Sequence, residues 1–165
     1  MPETAEHQLP TLNAFMPQES PTLHTTFRKT ERLCSEKLIE EVFHTGRKMM
    51  VFPYSIHWKI VPSEVLPSGS IAQVLIATSK KRFHHATDRN RVKRLTRECY
   101  RIHKPILYSY LESHGLSLIV AISYVHNEIY DFATLMHKFD KIIATLINNI
   151  ERGLPPQDNN HQPCH

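Results

Sequence analysis

No Cys-x-x-Cys pair occurs in this chain, and its three cysteines, Cys34, Cys99 and Cys164, are far apart and odd in number. That pattern excludes a zinc ribbon or a disulfide framework and suits a reducing cytoplasm. No apolar run approaches the ~18 residues of a membrane span, so none is expected. The first residues lack a basic segment followed by an apolar one, so no secretory signal is expected either. No Ser-His-Asp order, metal-ligand cluster, phosphate loop or close carboxylate pair stands out either, so no catalytic side chain and no metal ligand is assigned. The 12 histidines are scattered and read as surface polar groups. Residues 1–27 contain no Lys or Arg, and residues 153–165 carry only Asp158 as a charged side chain.

The charge is concentrated elsewhere. Of 165 residues, 20 are Lys or Arg and 16 are Asp or Glu, for a net +4, yet residues 28–152 hold 20 basic and 12 acidic residues, a net +8. A basic body with neutral-to-acidic ends points to a nucleic acid or an anionic membrane as partner. Ten of the 20 basic residues lie in the 25 positions from Lys80 to Lys104: Lys80, Lys81, Arg82, Arg89, Arg91, Lys93, Arg94, Arg97, Arg101 and Lys104. Only Asp88 and Glu98 oppose them there.

The second half of that stretch reads as a helix. Val92, Leu95, Cys99, Ile102 and Ile106 recur at helical spacing and form one apolar stripe over roughly 80°. Asn90, Lys93, Arg94, Arg97, Arg101 and Lys104 fall opposite, with Arg89, while Arg91 lies at the stripe's margin. Thr87 or Asp88 is placed to cap the helix, and Pro105 is expected to end or kink it. Arg89-Asn90-Arg91 would then stand at a helix start, itself an anion site. Like charges stacked along one face repel by a few tenths of a kcal/mol per pair, about the scale for i,i+4 neighbours. Neutralisation by phosphates turns that repulsion into binding.

Arg89-Asn90-Arg91 with Lys93-Arg94 and Arg97-Glu98, preceded by Ser79-Lys80-Lys81, resembles the signature of the bacterial ribonuclease P protein component. Seven residues, Arg82 to Asp88, separate the Lys pair from the signature, where the family often has six. Arg32-Leu33, then Val42-Phe43 and Gly46, resembles the family's opening. At the position of Ile39 the family often has an aromatic residue facing the substrate cleft. The resemblance covers roughly residues 28–150.

Read in order, residues 1–27 form a Pro-rich extension expected to be disordered. Residues 28–152 form one domain and 153–165 a flexible tail. Ser35 caps a first helix carrying Leu38, Ile39, Val42 and Phe43, which Gly46 closes. Lys48–Val61 is one strand or two, alternating from Phe52, with Pro53 at an edge or bulge. Residues 62–70 are a loop, and Ile71–Thr78 reads as a buried central strand. After the basic helix, Leu116–Val125 is another buried strand. Asp131 caps a last helix with Leu135, Phe139, Ile142, Ile143, Leu146 and Ile150 on its apolar face. The class is α+β: a small mixed sheet packed with helices, in the order α-β-β(-β)-α-β-α. The resemblance adds a left-handed βαβ crossover through the basic helix.

The resemblance implies the protein subunit of ribonuclease P, an RNA-based endonuclease that removes the 5′ leader of precursor tRNA. It implies that the RNA and its Mg2+ ions do the chemistry, that no cofactor is bound by the protein alone, and that one protein meets one RNA in the cytoplasm. The RNA platform would be Lys80, Lys81, Arg82, Arg89, Asn90, Arg91, Lys93, Arg94, Arg97 and Arg101. The family's cleft between first helix and sheet holds the single-stranded leader, with Phe43, Phe52 and Tyr54 as stacking candidates. His84-His85 are read as polar contacts to RNA or solvent. The alternatives are a small basic DNA-binding or chromatin-type protein and an amphipathic membrane-surface helix.

Overall fold

The computed structural model describes residues 26–153. The expected N-terminal extension and C-terminal tail lie outside the described residues, apart from Thr26, Phe27 and Gly153. Phe27 belongs to the folded body, because its ring meets that of Tyr100 edge-on at 5.8 Å.

After a 3-10 turn at Lys29–Glu31 come α1 (Glu36–His44), β1 (Arg47–Val51), β2 (Tyr54–Val61), β3 (Ala72–Thr78), α2 (Ala86–Ser113), β4 (Ser117–Tyr124) and α3 (Phe132–Gly153). This is the α+β order expected, with three strands before the basic helix. The four strands lie in the order β1-β2-β4-β3. β1 pairs antiparallel with β2 and β2 with β4, while β3 and β4 are parallel, with α2 as the crossover between them.

The termini of the elements follow local chemistry. Ser35 Oγ accepts from Leu38 N at 3.5 Å and caps α1. Asp131 accepts from Thr134 N at 3.3 Å and from Thr134 Oγ1 at 2.5 Å, and caps α3. Gly46 follows α1 for want of room: a Cβ there would stand 2.1 Å from the Val42 carbonyl oxygen. Pro53 needs no ladder partner, since Phe52-Pro53 is the turn between β1 and β2, with a cis peptide bond.

The two sheet faces are covered unequally. Tyr54, Ile56 and Trp58 of β2, Leu118, Val120, Ile122 and Tyr124 of β4, and Ala72 and Val74 of β3 pack beneath α2 and α3. α3 brings Leu135, Phe139, Ile142, Ile143, Leu146 and Ile150, all buried, to that layer. Each such side chain contributes roughly 1.5–3 kcal/mol of burial. The opposite face carries α1 through Leu38 and Val42, above Val61, Ile119 and Ala121.

β3 is an edge strand rather than the central one its apolar run suggests. Its composition follows from being covered on both faces. Part of its outer edge is closed by the N-terminal segment, where Leu33 N donates to Val74 O at 3.1 Å.

α2 departs furthest from expectation. It runs 28 residues and passes through Pro105 instead of ending there. It begins at Ala86 after His85, so neither Thr87 nor Asp88 is its cap. Its buried face is Val92, Thr96, Cys99, Tyr100, His103, Lys104, Leu107, Tyr108 and Leu111. Leu95 is only half-buried, and Ile102 and Ile106 are exposed. The true stripe is rotated toward the side assigned to cations, and it draws in Lys104.

Candidate nucleic-acid interface

The loop from Ser79 to His85 is shaped by its own short-range bonds. Ser79 Oγ accepts from Lys81 N at 3.1 Å, and Ser79 O accepts from Arg82 N and Phe83 N at 3.1 and 3.2 Å. Phe83 is buried beside Tyr124 and anchors the loop to the core. Arg89 reaches back from α2 and donates through Nη1 to Phe83 O at 2.7 Å and His84 O at 2.8 Å. The first arginine of the signature therefore braces the loop, and it is the fourth residue of α2, at the end of the helix's first turn. Lys80, Lys81 and Arg82 are exposed on the braced loop, with Arg82 donating to Asn127 Oδ1 at 3.2 Å.

Along α2 the other platform residues divide. Asn90, Arg91 and Arg94 are exposed, while Lys93, Arg97 and Arg101 are half-buried. Arg101 grips Glu98 through two nitrogens, Nε at 3.0 Å and Nη2 at 2.5 Å. The hydrogen bond from Arg101 holds the Glu98 carboxyl below the usual carboxylate range. Arg97 Nε is buried with no hydrogen-bond partner among the described residues. Lys80, Lys81 and Arg82 on the loop and Asn90, Arg91 and Arg94 on the helix are thus the exposed members of the platform, with Arg89 bracing the loop.

The aromatic candidates fall in three different places. Tyr54 is fully buried, its ring 5.3 Å from those of Tyr124 and Phe139 and its hydroxyl 2.9 Å from Thr96 Oγ1. It is a core residue beneath α2 and α3 and cannot stack on a leader. The alternation that puts Tyr54 inward with Ile56 and Trp58 sends Ser55, His57 and Lys59 to the α1 face. Phe43 is 40% exposed on α1, and its ring lies 4.9 Å from that of His57. Burial, then the charge of Lys48, pushes the His57 imidazole below its ordinary value, which leaves it neutral near pH 7. Phe43 and His57 therefore offer an uncharged pair of rings between α1 and the sheet, with the aliphatic, half-buried Ile39 on the same helix.

Phe52 is 48% exposed at the β1–β2 turn. Its ring partners are His126 at 5.0 Å and Tyr130 at 6.3 Å, and His126 and Tyr130 stack at 5.0 Å. An open groove of about 700 Å³ runs beside Lys81, Arg82, Tyr124 and Asn127, joining the sheet's end to the basic loop. His57, His126 and Tyr130 were not singled out from sequence. For His57 the strand alternation carried the signal; for the other two, only the folded loop brings the rings together.

Burial pushes the Cys99 thiol up to about 12, which makes it inert as a nucleophile near neutral pH. Among the described residues no group of three or more His, Cys, Asp or Glu side chains is arranged to hold a metal ion. Among them also, no helix is long and apolar enough to cross a membrane.

A family model described as Ribonuclease P matches residues 27–146. The ribonuclease P protein component of Porphyromonas gingivalis is 31% identical over 122 residues, spanning 74% of this chain and 87% of that protein. The counterpart from Chlorobium phaeobacteroides is 35% identical over 105 residues, 61% of this chain and 72% of that one. Among solved structures, the RNase P protein of Staphylococcus aureus superposes with a TM-score of 0.54 at 15% identity, over 70% of this chain and 94% of that one. The RNase P protein from Thermotoga maritima gives 0.52 at 19% identity, over 70% and 96%. These two likenesses establish the fold.

Proposed function

From the premise that this chain belongs to the ribonuclease P protein family, we propose that it carries precursor tRNA to the catalytic RNA by holding the single-stranded 5′ leader beside its cationic surface. The family role is established: the chain is the protein subunit of the ribonucleoprotein endoribonuclease that matures tRNA 5′ ends, and its partner is ribonuclease P RNA. The DNA-binding reading is set aside on the same ground.

One observation supports the leader assignment above the others. Exposed Phe43 and half-buried, neutral His57 form a ring pair on the α1 face, and the Phe52, His126 and Tyr130 rings lie near the basic loop, which Arg82 ties to Asn127. Unpaired nucleotides bind by stacking on aromatic rings with positive charge nearby for their phosphates. Asn90, Arg91 and Arg94 supply the phosphate contacts to the RNA partner, and arginine's planar fork suits them. One protein serves each RNA, in the cytoplasm. Mg2+ ions held by the RNA supply the hydrolytic chemistry, and the protein's part is to bind and position.

Reconstitution tests this. The full-length protein is added to a bacterial ribonuclease P RNA with precursor tRNA at low magnesium, and leader release is followed. Stimulation by the wild-type protein, lost in Arg91→Ala/Arg94→Ala, is the expected result. No stimulation, beside tight binding to duplex DNA, would overturn the proposal.

A further inference from the structure

A second groove lies on the other side of α2, where it meets the start of α3. It has a volume of about 780 Å³ and is lined by Asn90, Arg91, Arg94, Leu95, Glu98 and Phe132, with Thr87 at one end. The two helices run in the same direction here. Phe132 shares the groove with Leu95, and two turns further along both helices Asp140 Oδ1 meets His103 Nε2 at 2.8 Å. The alignment holds Phe132, the first residue of α3, beside the signature residues Asn90, Arg91 and Arg94.

The chemistry of this groove differs from that of a plain phosphate site. Phe132 is 40% exposed, a large apolar ring set among cations. Leu95 extends the apolar floor. Arg91 and Arg94 stand exposed on the rim, and Asn90 brings an amide able both to donate and to accept. Glu98 adds a carboxylate whose partner is Arg101. Phosphates alone would gain nothing from the ring and would be repelled by the carboxylate. An unpaired nucleotide uses every part: the face of its base on the ring, its backbone phosphates on the arginines, and the N–H groups of its base edge on Glu98 and Asn90.

We propose that this groove receives one unpaired base of the partner RNA, stacked on Phe132 and flanked by Arg91 and Arg94. The groove is continuous with the platform through Asn90, Arg91 and Arg94, so the proposal rests on the ribonuclease P reading and deepens it. It gives the signature helix a base-reading contact beside its phosphate contacts. The base bound carries an N–H donor on its Watson–Crick edge, as guanine does, because a carboxylate only accepts.

The test uses the full-length protein with ribonuclease P RNA. Binding is measured across a salt series for the wild type, Phe132→Ala, Phe132→Trp and Arg91→Ala/Arg94→Ala, with base-selective chemical probing of the RNA in each complex. Phe132→Ala should fold normally, with Asp131 still capping α3, and circular dichroism checks this. It should bind roughly 10-fold more weakly, the usual scale for losing one stacked base. Its salt slope should stay unchanged, since no phosphate contact is removed. One unpaired base protected by the wild type should become reactive again, and Phe132→Trp should restore both affinity and protection. Unchanged affinity and base reactivity in Phe132→Ala, beside weakened binding in Arg91→Ala/Arg94→Ala, would overturn the base site and leave the family reading intact. Weaker binding by Phe132→Ala with no change at any base would overturn it as well. If the arginine variant also bound like the wild type, the platform itself would fall.

Discussion

Lys104 Nζ lies 2.5 Å from Glu31 Oε1 with both side chains closed off from solvent, so the helix that carries the RNA signature is tied by a buried ion pair to the segment preceding α1. The pair is well supplied with further bonds. Lys104 also donates to Thr26 O at 2.6 Å, Tyr108 Oη donates to Glu31 Oε1 at 2.8 Å, and Arg28 N donates to Glu31 Oε2 at 2.5 Å. Removing one member leaves the other charge buried and unpaired, which costs about 3–5 kcal/mol. Lys104→Met should therefore lose that much stability in chemical denaturation. The double variant Lys104→Met/Glu31→Leu should recover part of it, because an apolar pair carries no stranded charge.

The same pair fixes the response to acid. Burial works to raise the Glu31 carboxyl, but bonds from Lys104, Arg28 N–H and Tyr108, with the charge of Lys104, outweigh it and hold the group below its ordinary value of 4.5. A carboxyl that is more acidic when folded stabilises the fold above the unfolded value, and the contribution is lost as pH falls through the folded one. Thermal melts should show stability flat from neutral pH down to about 4.5 with respect to this group, then falling. In Glu31→Gln that part of the acid slope should disappear, on a lower baseline. An unchanged slope would place the acid sensitivity elsewhere.

Much of this arrangement was legible in the sequence, and the misreadings share a cause. Ser35 and Asp131 sit at their helix starts as local side-chain chemistry requires, and the period of α3 names its six buried residues correctly. The signature residues are contiguous, so the platform could be read from one stretch. α2 misled because Ile102 and Ile106 imitate a core stripe while the actual buried face includes Thr96, His103 and Lys104. Lys104 is acceptable inside only because Glu31 arrives from 73 residues away, a partner that periodicity cannot supply. Pro105 passes within α2 for a similar reason: buried Lys104, Leu107, Tyr108 and Leu111 hold the helix to the core on both sides of it. The aromatic type of Tyr54 suggests a stacking residue, although its own strand alternation places it inward with Ile56 and Trp58.

That distinction between Tyr54 and Phe43 separates stability from binding. Tyr54→Phe removes the hydroxyl contact with Thr96 and should cost roughly 1 kcal/mol of stability, with RNA binding unchanged. Phe43→Ala, at a 40% exposed position, should leave the fold intact. It should weaken binding of leader-bearing precursor tRNA about 10-fold, the scale of one lost stacked base. Mature tRNA, which has no leader, serves as the control: equal loss for both substrates would remove Phe43 from the leader site.

Arg89 and its signature neighbours should also behave differently under salt. Arg91 and Arg94 are exposed and free to meet phosphates, whereas the Arg89 guanidinium is spent on two loop carbonyls. Each phosphate contact adds about 0.7–0.9 to the slope of log affinity against log salt. Arg91→Ala/Arg94→Ala should therefore flatten that slope by roughly 1.4–1.8. Arg89→Ala should instead release the loop that presents Lys80, Lys81 and Arg82. Its signature would be a lower melting temperature and faster amide exchange from Ser79 to His85, because the Phe83 and His84 carbonyls lose their donor. Arg89→Lys keeps the charge but ends one bond short of the Nη1 nitrogen that reaches both carbonyls, so it should resemble Arg89→Ala in loop exchange. Wild-type exchange in both variants, with a salt slope reduced as in the other arginine variants, would make Arg89 a direct phosphate contact and not the brace of the loop.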